Sequence, residues 1–156
     1  MTLYAMLRAA ETPSDSPPSK YGAPGDATPT PRLRGRVVVA DDDRDTVLSL
    51  TALLEDEGFD TLGVHHGNEV VRAVVEFRAD AALVDIGMPG MSGYDIARAL
   101  RRRFDGAKPL LIAVTAWTKH SDRLMARAAG FDHHVAKPYD PSRLLELLAQ
   151  IATPGA

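Results

Sequence analysis

The chain has 156 residues, of which 45% are hydrophobic and 25% charged, and its net charge at pH 7 is −3. This length and composition are typical of one globular domain that folds in water, together with a tail. The weakly acidic charge argues against nucleic-acid binding. The absence of cysteine excludes disulfides and thiolate metal sites. The lack of a long apolar segment indicates a cytoplasmic protein without a membrane partner.

The first 33 residues differ in composition from the rest of the chain. Six of the eleven prolines lie between Pro13 and Pro31, among Ser, Thr, Gly and Asp residues. Such a segment has too few large apolar side chains to offset the conformational entropy that it would lose on folding. We therefore expect residues 1–33 to be a disordered tail or linker, and residues 34–152 to form one domain.

From Arg36 onward, short apolar runs rich in β-branched residues alternate with segments in which apolar residues recur at helical spacing. The runs at residues 37–40, 61–64, 81–84, 110–114 and 133–135 predict five strands. A helix is predicted after each strand, and the apolar residues that mark the five helices are Val47, Leu50 and Leu54; Val70, Val71, Val74 and Val75; Ile96, Ala97, Leu100 and Phe104; Leu124, Met125 and Ala128; and Leu144, Leu147, Leu148 and Ile151.

This strict alternation predicts an α/β domain in which helices cover both faces of a parallel sheet. The expected architecture is a doubly wound, flavodoxin-like sheet of five strands in the order 2-1-3-4-5. In open sheets of this kind, functional sites form beyond the carboxyl ends of the strands. Polar residues that directly follow the predicted strands are therefore the first candidates for a site.

Four of the predicted strands lead into polar residues of compatible chemistry. Asp41 and Asp42 follow the first strand, Asp85 the third, Thr115 the fourth and Lys137 the fifth. Taken singly, each has an ordinary explanation, because aspartates cap helices or occupy turns, and a threonine or lysine is common in strands or on surfaces. Their convergence on one edge of the sheet favours a common site.

These residue types suit the transfer of a phosphoryl group to a carboxylate. Clustered carboxylates repel one another unless a cation intervenes, and hard oxygen ligands favour Mg²⁺. We expect Asp42 and Asp85 to be direct ligands of this ion and Asp41 to hold a metal-bound water. An ionised carboxylate is a nucleophile that forms an acyl phosphate. Lys137 would supply positive charge, and Thr115 a hydroxyl, to the transferring phosphoryl oxygens.

Four segments resemble, in order along the chain, the signature segments of response-regulator receiver domains. They are residues 36–45 (RVVVADDDRD), 82–94 (ALVDIGMPGMSGY), 112–116 (IAVTA) and 130–138 (GFDHHVAKP). The resemblance covers about residues 35–152. It implies a phosphoacceptor signalling switch of a two-component system or phosphorelay, and not an enzyme that turns over substrates.

The resemblance also implies a role for each residue of the site. The resemblance implies that Asp85 is the phosphoacceptor, that Asp41 and Asp42 are the acidic pair, and that the backbone carbonyl of Gly87 completes the Mg²⁺ shell. It implies that Thr115 is the switch hydroxyl and that Ala116 is the small residue that keeps the site open. Lys137 is implied to be the phosphoryl-binding lysine, and Pro138 to follow a cis peptide bond.

Two positions depart from the usual pattern of the family. His134 lies three residues before the lysine, where the family often has Tyr or Phe, and Gly87 lacks a side chain that would guide an attacking water. Protonation of His134 is one way to bias the switch, and a buried neutral core histidine is the alternative. Elsewhere, the pairs His65–His66 and His133–His134 do not favour zinc, because neighbouring strand residues face opposite ways. The run Arg101–Arg103 is interpreted as solvated surface.

For partners, the resemblance implies a histidine kinase or histidine-phosphotransfer protein as the donor, and a downstream protein target or relay partner. Output is expected on the face made by the fourth helix, fifth strand and fifth helix, and the same face allows a homodimer. Because only five residues follow Ile151, we expect no effector domain, so that output passes through a partner.

Two other functions stay open at this stage. A phosphatase that works through a phosphoaspartate usually needs a second acid two residues after the nucleophile, and that position is Gly87. A pseudo-receiver that serves only as an interaction scaffold would not need the complete set of three aspartates, Thr115 and Lys137. Sustained turnover in a phosphatase assay would identify the first alternative.

Overall fold

The computed structural model describes residues 34–105 and 108–151. The predicted tail, residues 1–33, lies outside the described residues, as do residues 106–107 and 152–156. None of the helices in the described part of the chain combines the length and apolar character needed to cross a bilayer.

Five strands alternate with five helices, as the sequence predicts. In chain order they are β1 (Arg36–Ala40), α1 (Arg44–Asp56), β2 (Asp60–Val64), α2 (Gly67–Phe77), β3 (Ala81–Val84), α3 (Gly93–Arg103), β4 (Leu110–Thr115), α4 (His120–Ala129), β5 (His133–Ala136) and α5 (Pro141–Leu148). All neighbouring strands pair in parallel, in the order β2-β1-β3-β4-β5. The predicted doubly wound sheet is therefore confirmed.

The central strands have apolar side chains on both faces because helices cover both sides of the sheet. Every residue of β3 and β4 is buried, whereas β2, at the edge of the sheet, buries only Val64. Among the helices, α1 buries Val47, Leu50 and Leu54, one turn apart on a single face. Burial along their whole length favours one register of the central strands, since a shift would move apolar residues out of the covered part of the sheet.

Side chains that precede the helices fix where three of them begin. The carboxylate of Asp43 accepts a hydrogen bond from Asp45 N at 3.0 Å at the start of α1. Ser92 accepts from Asp95 N at 3.3 Å before α3, and Asp140 accepts from Ser142 N at 3.0 Å before α5. These caps satisfy N–H groups that have no partner within the helix.

The apolar spacing was wrong at the end of α3, and on α4 it located the helix but not its buried residues. The helix α3 ends at Arg103, and Phe104 follows it in an extended conformation, half-buried and outside the helical face. The helix α4 buries only Ala126 and Ala129. Its larger apolar residues, Leu124 and Met125, are 56% and 48% exposed, so α4 presents its bulkiest hydrophobic side chains outward.

Arg101 is not the solvated residue that its arginine-rich neighbourhood suggests. Its guanidinium donates to the carbonyl oxygens of Gly130 and Pro109, each at 2.9 Å, and to Asp132 Oδ2 at 2.7 Å. The same Asp132 oxygen accepts a hydrogen bond from Leu111 N at 2.8 Å. One side chain of α3 thereby joins the start of β4 to the turn before β5.

His134 lies in β5 with both ring nitrogens buried, and neither nitrogen makes a hydrogen bond of good geometry. Burial lowers the pKa of this imidazole, and the charge of Arg123 acts in the same direction. The backbone of Trp117 and the charge of Asp122 oppose the shift without reversing it. His134 is therefore a neutral side chain of the domain interior near pH 7.

We predict that His134 makes stability fall in mildly acidic solution. In the unfolded chain this histidine binds a proton near its ordinary pKa of 6.5, so below that pH the unfolded state holds more protons than the folded one. Its contribution to the free energy of unfolding is present above about pH 6.5 and declines as the pH falls towards the lowered folded pKa. Urea unfolding of the wild type and His134→Phe between pH 7 and 5 measures this dependence.

The matched control is His66→Gln, which alters an exposed histidine. The phenylalanine variant should lose less stability on acidification than the wild type, while the control follows the wild type. Parallel pH profiles for all three proteins would show that His134 does not carry the effect.

Candidate functional site

The hydrogen-bond ladder of the sheet continues past the strand ends and holds the backbone of the site. Asp41 N donates to Val64 O at 3.0 Å, and Asp85 N donates to Ala40 O at 2.9 Å. Lys137 N donates to Thr115 O at 3.0 Å. The three charged residues predicted from separate strands are thus placed side by side at the carboxyl edge of the sheet.

The aspartates form one compact acidic cluster. Carboxylate oxygens of Asp41, Asp42 and Asp85 all lie within 4.8 Å of one another. Asp41 is buried, Asp85 is half-buried and Asp42 is exposed. Asp41 Oδ1 also accepts a hydrogen bond from Asp43 N at 2.9 Å, which fixes its carboxylate. Charges this close repel strongly when water is partly excluded.

Lys137 supplies the positive charge that offsets this repulsion. Its Nζ donates to Asp41 Oδ2 at 2.6 Å and to Asp85 Oδ2 at 3.3 Å. Burial by itself would lower the pKa of Lys137, but the hydrogen bond to Asp41 and the charges of both aspartates raise it above its usual value. Lys137 is therefore a cation that bridges the first and third strands.

Asp85 is the half-buried carboxylate of this group. Burial raises its pKa, and the nearby charge of Asp41 acts in the same direction. Gly87 N, which donates to Asp85 Oδ1 at 3.2 Å, and the charge of Lys137 both oppose the increase. A carboxylate of this kind, when ionised, can act as a nucleophile.

Thr115 and the residues after it border the same edge. The Thr115 side chain is buried, and its Oγ1 accepts a hydrogen bond from Trp117 N at 3.1 Å. The Trp117 ring lies over the loop that follows Asp85, so that a Cβ atom built on Gly87 would be 3.4 Å from Trp117 Cζ2. Ala116, between them, is exposed. The strand-end pattern did not predict the position of Trp117.

Two further residues near the site were also missed. Gly67 and Asn68, at the start of α2, hydrogen-bond the loop between Asp85 and α3. No local pattern in the sequence reveals a contact with a loop more than twenty positions away. By contrast, the cis peptide bond implied for Pro138 is present between Lys137 and Pro138.

The donor set fits Mg²⁺ better than a transition metal. Among the described residues, the group with the spacing to hold an ion is Asp41, Asp42 and Asp85, and it offers carboxylate oxygens only. Hard oxygen donors are the ligands that Mg²⁺ prefers. Among the described residues, neither histidine pair belongs to this group.

The sequence matches one protein family over most of its length. The family model described as the response regulator receiver domain matches residues 37–149. The DNA-binding response regulator MtrA of Mycolicibacterium smegmatis is 38% identical over 113 residues, which cover 72% of this chain and 48% of that protein. This chain thus spans about half the length of the MtrA proteins that it matches. An uncharacterized 14.6 kDa protein of Leptolyngbya boryana is 32% identical over 114 residues and is covered to 87%.

Solved structures show the same fold. The receiver domain of the sensor histidine kinase PA1611 of Pseudomonas aeruginosa PAO1, described with a magnesium ion in its active-site cleft, aligns with a TM-score of 0.69 and 27% identity over 77% of this chain and 98% of that one. Chemotaxis response regulator CheY4 of Vibrio cholerae aligns with a TM-score of 0.68 over 75% and 98% of the two chains, at 23% identity. The chain therefore belongs to the response regulator receiver domain family, whose general function is that of a phosphoacceptor switch in two-component signalling.

Proposed function

We propose that Asp85 is the phosphoacceptor of this chain and that Asp42, Asp85 and the Gly87 carbonyl bind Mg²⁺. The observation that carries this proposal is the position of Lys137, whose Nζ lies 2.6 Å from Asp41 and 3.3 Å from Asp85. Lys137 therefore places a positive charge beside the Asp85 carboxylate, where the negative charge of a phosphoryl group on Asp85 would need to be balanced. Asp41 would hold a water of the metal shell.

The transfer is a displacement at phosphorus. An Asp85 carboxylate oxygen attacks the phosphoryl group, the new O–P bond forms and the P–N bond to the donor histidine breaks, leaving the histidine nitrogen with the electron pair. Lys137 keeps Asp85 ionised and then donates to the phosphoryl oxygens, and the Thr115 hydroxyl donates to another of them. Mg²⁺, when bound, would supply further positive charge against these oxygens.

The donor would be a histidine kinase or a histidine-phosphotransfer protein, and the recipient of the signal a protein target or relay partner in the cytoplasm. We propose residues 34–152 as the unit that performs the transfer and residues 1–33 as a tail that it does not require. Since the net charge is −3, a protein partner fits this chain better than nucleic acid. Gly87, in the position of a second acid, disfavours a phosphatase.

Phosphorylation would be read out through Thr115. Its hydroxyl oxygen now accepts from Trp117 N, in the loop that leads into α4. If the hydroxyl turns towards a phosphoryl group on Asp85, that loop loses its hydrogen bond and α4 gains freedom to move. A ligand shifts such an equilibrium only through its different affinity for the two states, and the bond from Thr115 is the differential contact.

If Mg²⁺ binds at the proposed site, it should change the fluorescence of Trp117, the single tryptophan of the chain. The Trp117 ring lies against the loop that contains Gly87. Asp42→Ala should weaken the apparent affinity by at least about tenfold, since it removes one of two direct carboxylate ligands. Asp45→Ala, which removes an exposed carboxylate from the start of α1, is the matched control. Equal affinities for wild type and Asp42→Ala in calorimetric titration would contradict the ligand assignment.

The phosphoacceptor assignment predicts one phosphoryl group per chain after incubation with acetyl phosphate and Mg²⁺. The group should be lost on treatment with hydroxylamine, as expected for an acyl phosphate. Asp85→Asn keeps the shape of the side chain but removes the nucleophilic carboxylate, so intact-mass analysis should show no labelling. An Asp95→Asn control, altered at the start of α3, should label normally. Labelling of Asp85→Asn at the wild-type level would refute the assignment.

The coupling role predicts a specific defect in Thr115→Ala. The variant should still bind beryllofluoride, used as a phosphoryl mimic, because Asp85, Lys137 and the acidic pair are intact. It should lose most of the mimic-induced change in amide exchange over residues 116–130 and 133–148, since the contact that distinguishes the two states is gone. Such couplings are usually worth about 1–3 kcal/mol. An exchange pattern like that of the wild type would exclude the role.

A further inference from the structure

The loop that follows Asp85 is fastened to the start of α2 by two hydrogen bonds of opposite direction. Gly67 N donates to Pro89 O at 3.2 Å. In return, Met91 N donates to the side-chain oxygen Oδ1 of Asn68 at 3.1 Å. We call this pair of contacts the α2 clasp. It holds the middle of a loop whose Gly87 carbonyl is a proposed metal ligand.

Glycine at position 67 is required by the closeness of this contact. A Cβ atom built on Gly67 would lie 1.9 Å from the carbonyl oxygen of Met91, so any side chain there would push the loop away. Gly90 has a φ of +83°, and a Cβ on it would lie 3.2 Å from the Asn68 amide. The Asn68 side chain is therefore in direct contact with the backbone of the loop.

The clasp also completes the helix. His66, which precedes α2, makes no side-chain cap hydrogen bond, and the Gly67 N–H instead donates to the loop carbonyl of Pro89. The first N–H groups of a helix need partners outside the helix. Loop and helix start are thus held by the same contacts, so a disturbance of one reaches the other.

The ends of the loop have separate anchors. Gly93 N donates to Ile86 O at 3.0 Å, and a Cβ on Gly93 would lie 2.6 Å from the Cα of Ile86. Ile86 and Met88 are buried. Gly87 is exposed between these two buried residues, and the segment from Pro89 to Met91 that follows is the part that the clasp holds.

From this arrangement we infer that Asn68 is a positioning residue for the metal site: by holding Met91, it keeps the Gly87 carbonyl where a bound Mg²⁺ requires it. The inference rests on the proposed function, because it assumes that Gly87 is a ligand. A loop that is ordered before binding loses less conformational entropy when the ion binds. Asn68 would therefore increase the affinity for Mg²⁺ without touching the ion.

The test compares Asn68→Ala, Asn68→Asp and a neutral control, Ser49→Ala, on the exposed surface of α1. Two quantities are measured for the full-length chain: hydrogen exchange of the Met91 amide in metal-free protein, and the dissociation constant for MgCl₂ from Trp117 fluorescence. Titrations at about 0.15 M salt limit the effect of the added charge in Asn68→Asp, since the screening length there is about 8 Å.

Asn68→Ala should accelerate exchange at Met91 and raise the dissociation constant by about two- to tenfold, the range that the loss of one hydrogen bond usually produces. Asn68→Asp keeps an oxygen acceptor and should restore both values towards those of the wild type, and Ser49→Ala should change neither. Faster exchange in Asn68→Ala with an unchanged dissociation constant would overturn the inference and leave the metal site standing. If the wild type itself bound no Mg²⁺, the proposed metal site would fall, and the inference with it.

Discussion

The contact between Lys137 and two aspartates is the interaction on which the rest of the site depends. Three carboxylates whose oxygens lie within 4.8 Å of one another repel when ionised, and a nearby cation offsets this repulsion. Lys137 provides that charge from the end of β5, which pairs with β4 and with neither β1 nor β3, the strands that Asp41 and Asp85 follow. The lysine side chain therefore spans the sheet edge, and the site exists only when all three strands are in register.

The sheet supplies this register through its backbone. The backbone N–H groups of Asp41 and Asp85 each add one hydrogen bond to the parallel ladder beyond the buried ends of β1 and β3. The N–H of Lys137 likewise donates to the carbonyl oxygen of Thr115, at the end of β4. Since Val37 to Ala40 and all of β3 and β4 are buried, a shift of any of these strands would place apolar side chains in water and move a charged residue away from the edge. Packing far from the site thus determines distances within it.

Features that repeat along the chain were predictable from the sequence. Strand positions followed from apolar runs, and the location of Asp41, Asp85, Thr115 and Lys137 followed from one rule about parallel sheets. The interactions that sequence analysis missed join residues distant in the chain. Arg101 contacts Gly130 and Asp132, and Asn68 contacts Met91.

The prediction from helical spacing was wrong at Phe104, and on α4 the spacing located the helix without showing which of its residues are buried. Periodicity locates an apolar face but does not show where a helix ends or which neighbour covers it. Phe104 continues the spacing of α3, yet the chain is already extended there. On α4, the small residues Ala126 and Ala129 face the protein because their size allows the helix to lie close, and the larger Leu124 and Met125 turn outward.

The shallow packing of α4 gives the proposed switch a physical basis. An element that buries two alanines gains little from apolar burial, at about 25 cal/mol per Å² of area, compared with α1 and its buried valine and leucines. Elements with few buried apolar contacts open at low cost and are the ones that move in regulated proteins. The α4 segment is also tied to the site through the bond from Trp117 N to Thr115 Oγ1. In the proposed switch, a phosphoryl group on Asp85 would act on α4 through that bond, while the buried strands keep the charged residues of the site in place.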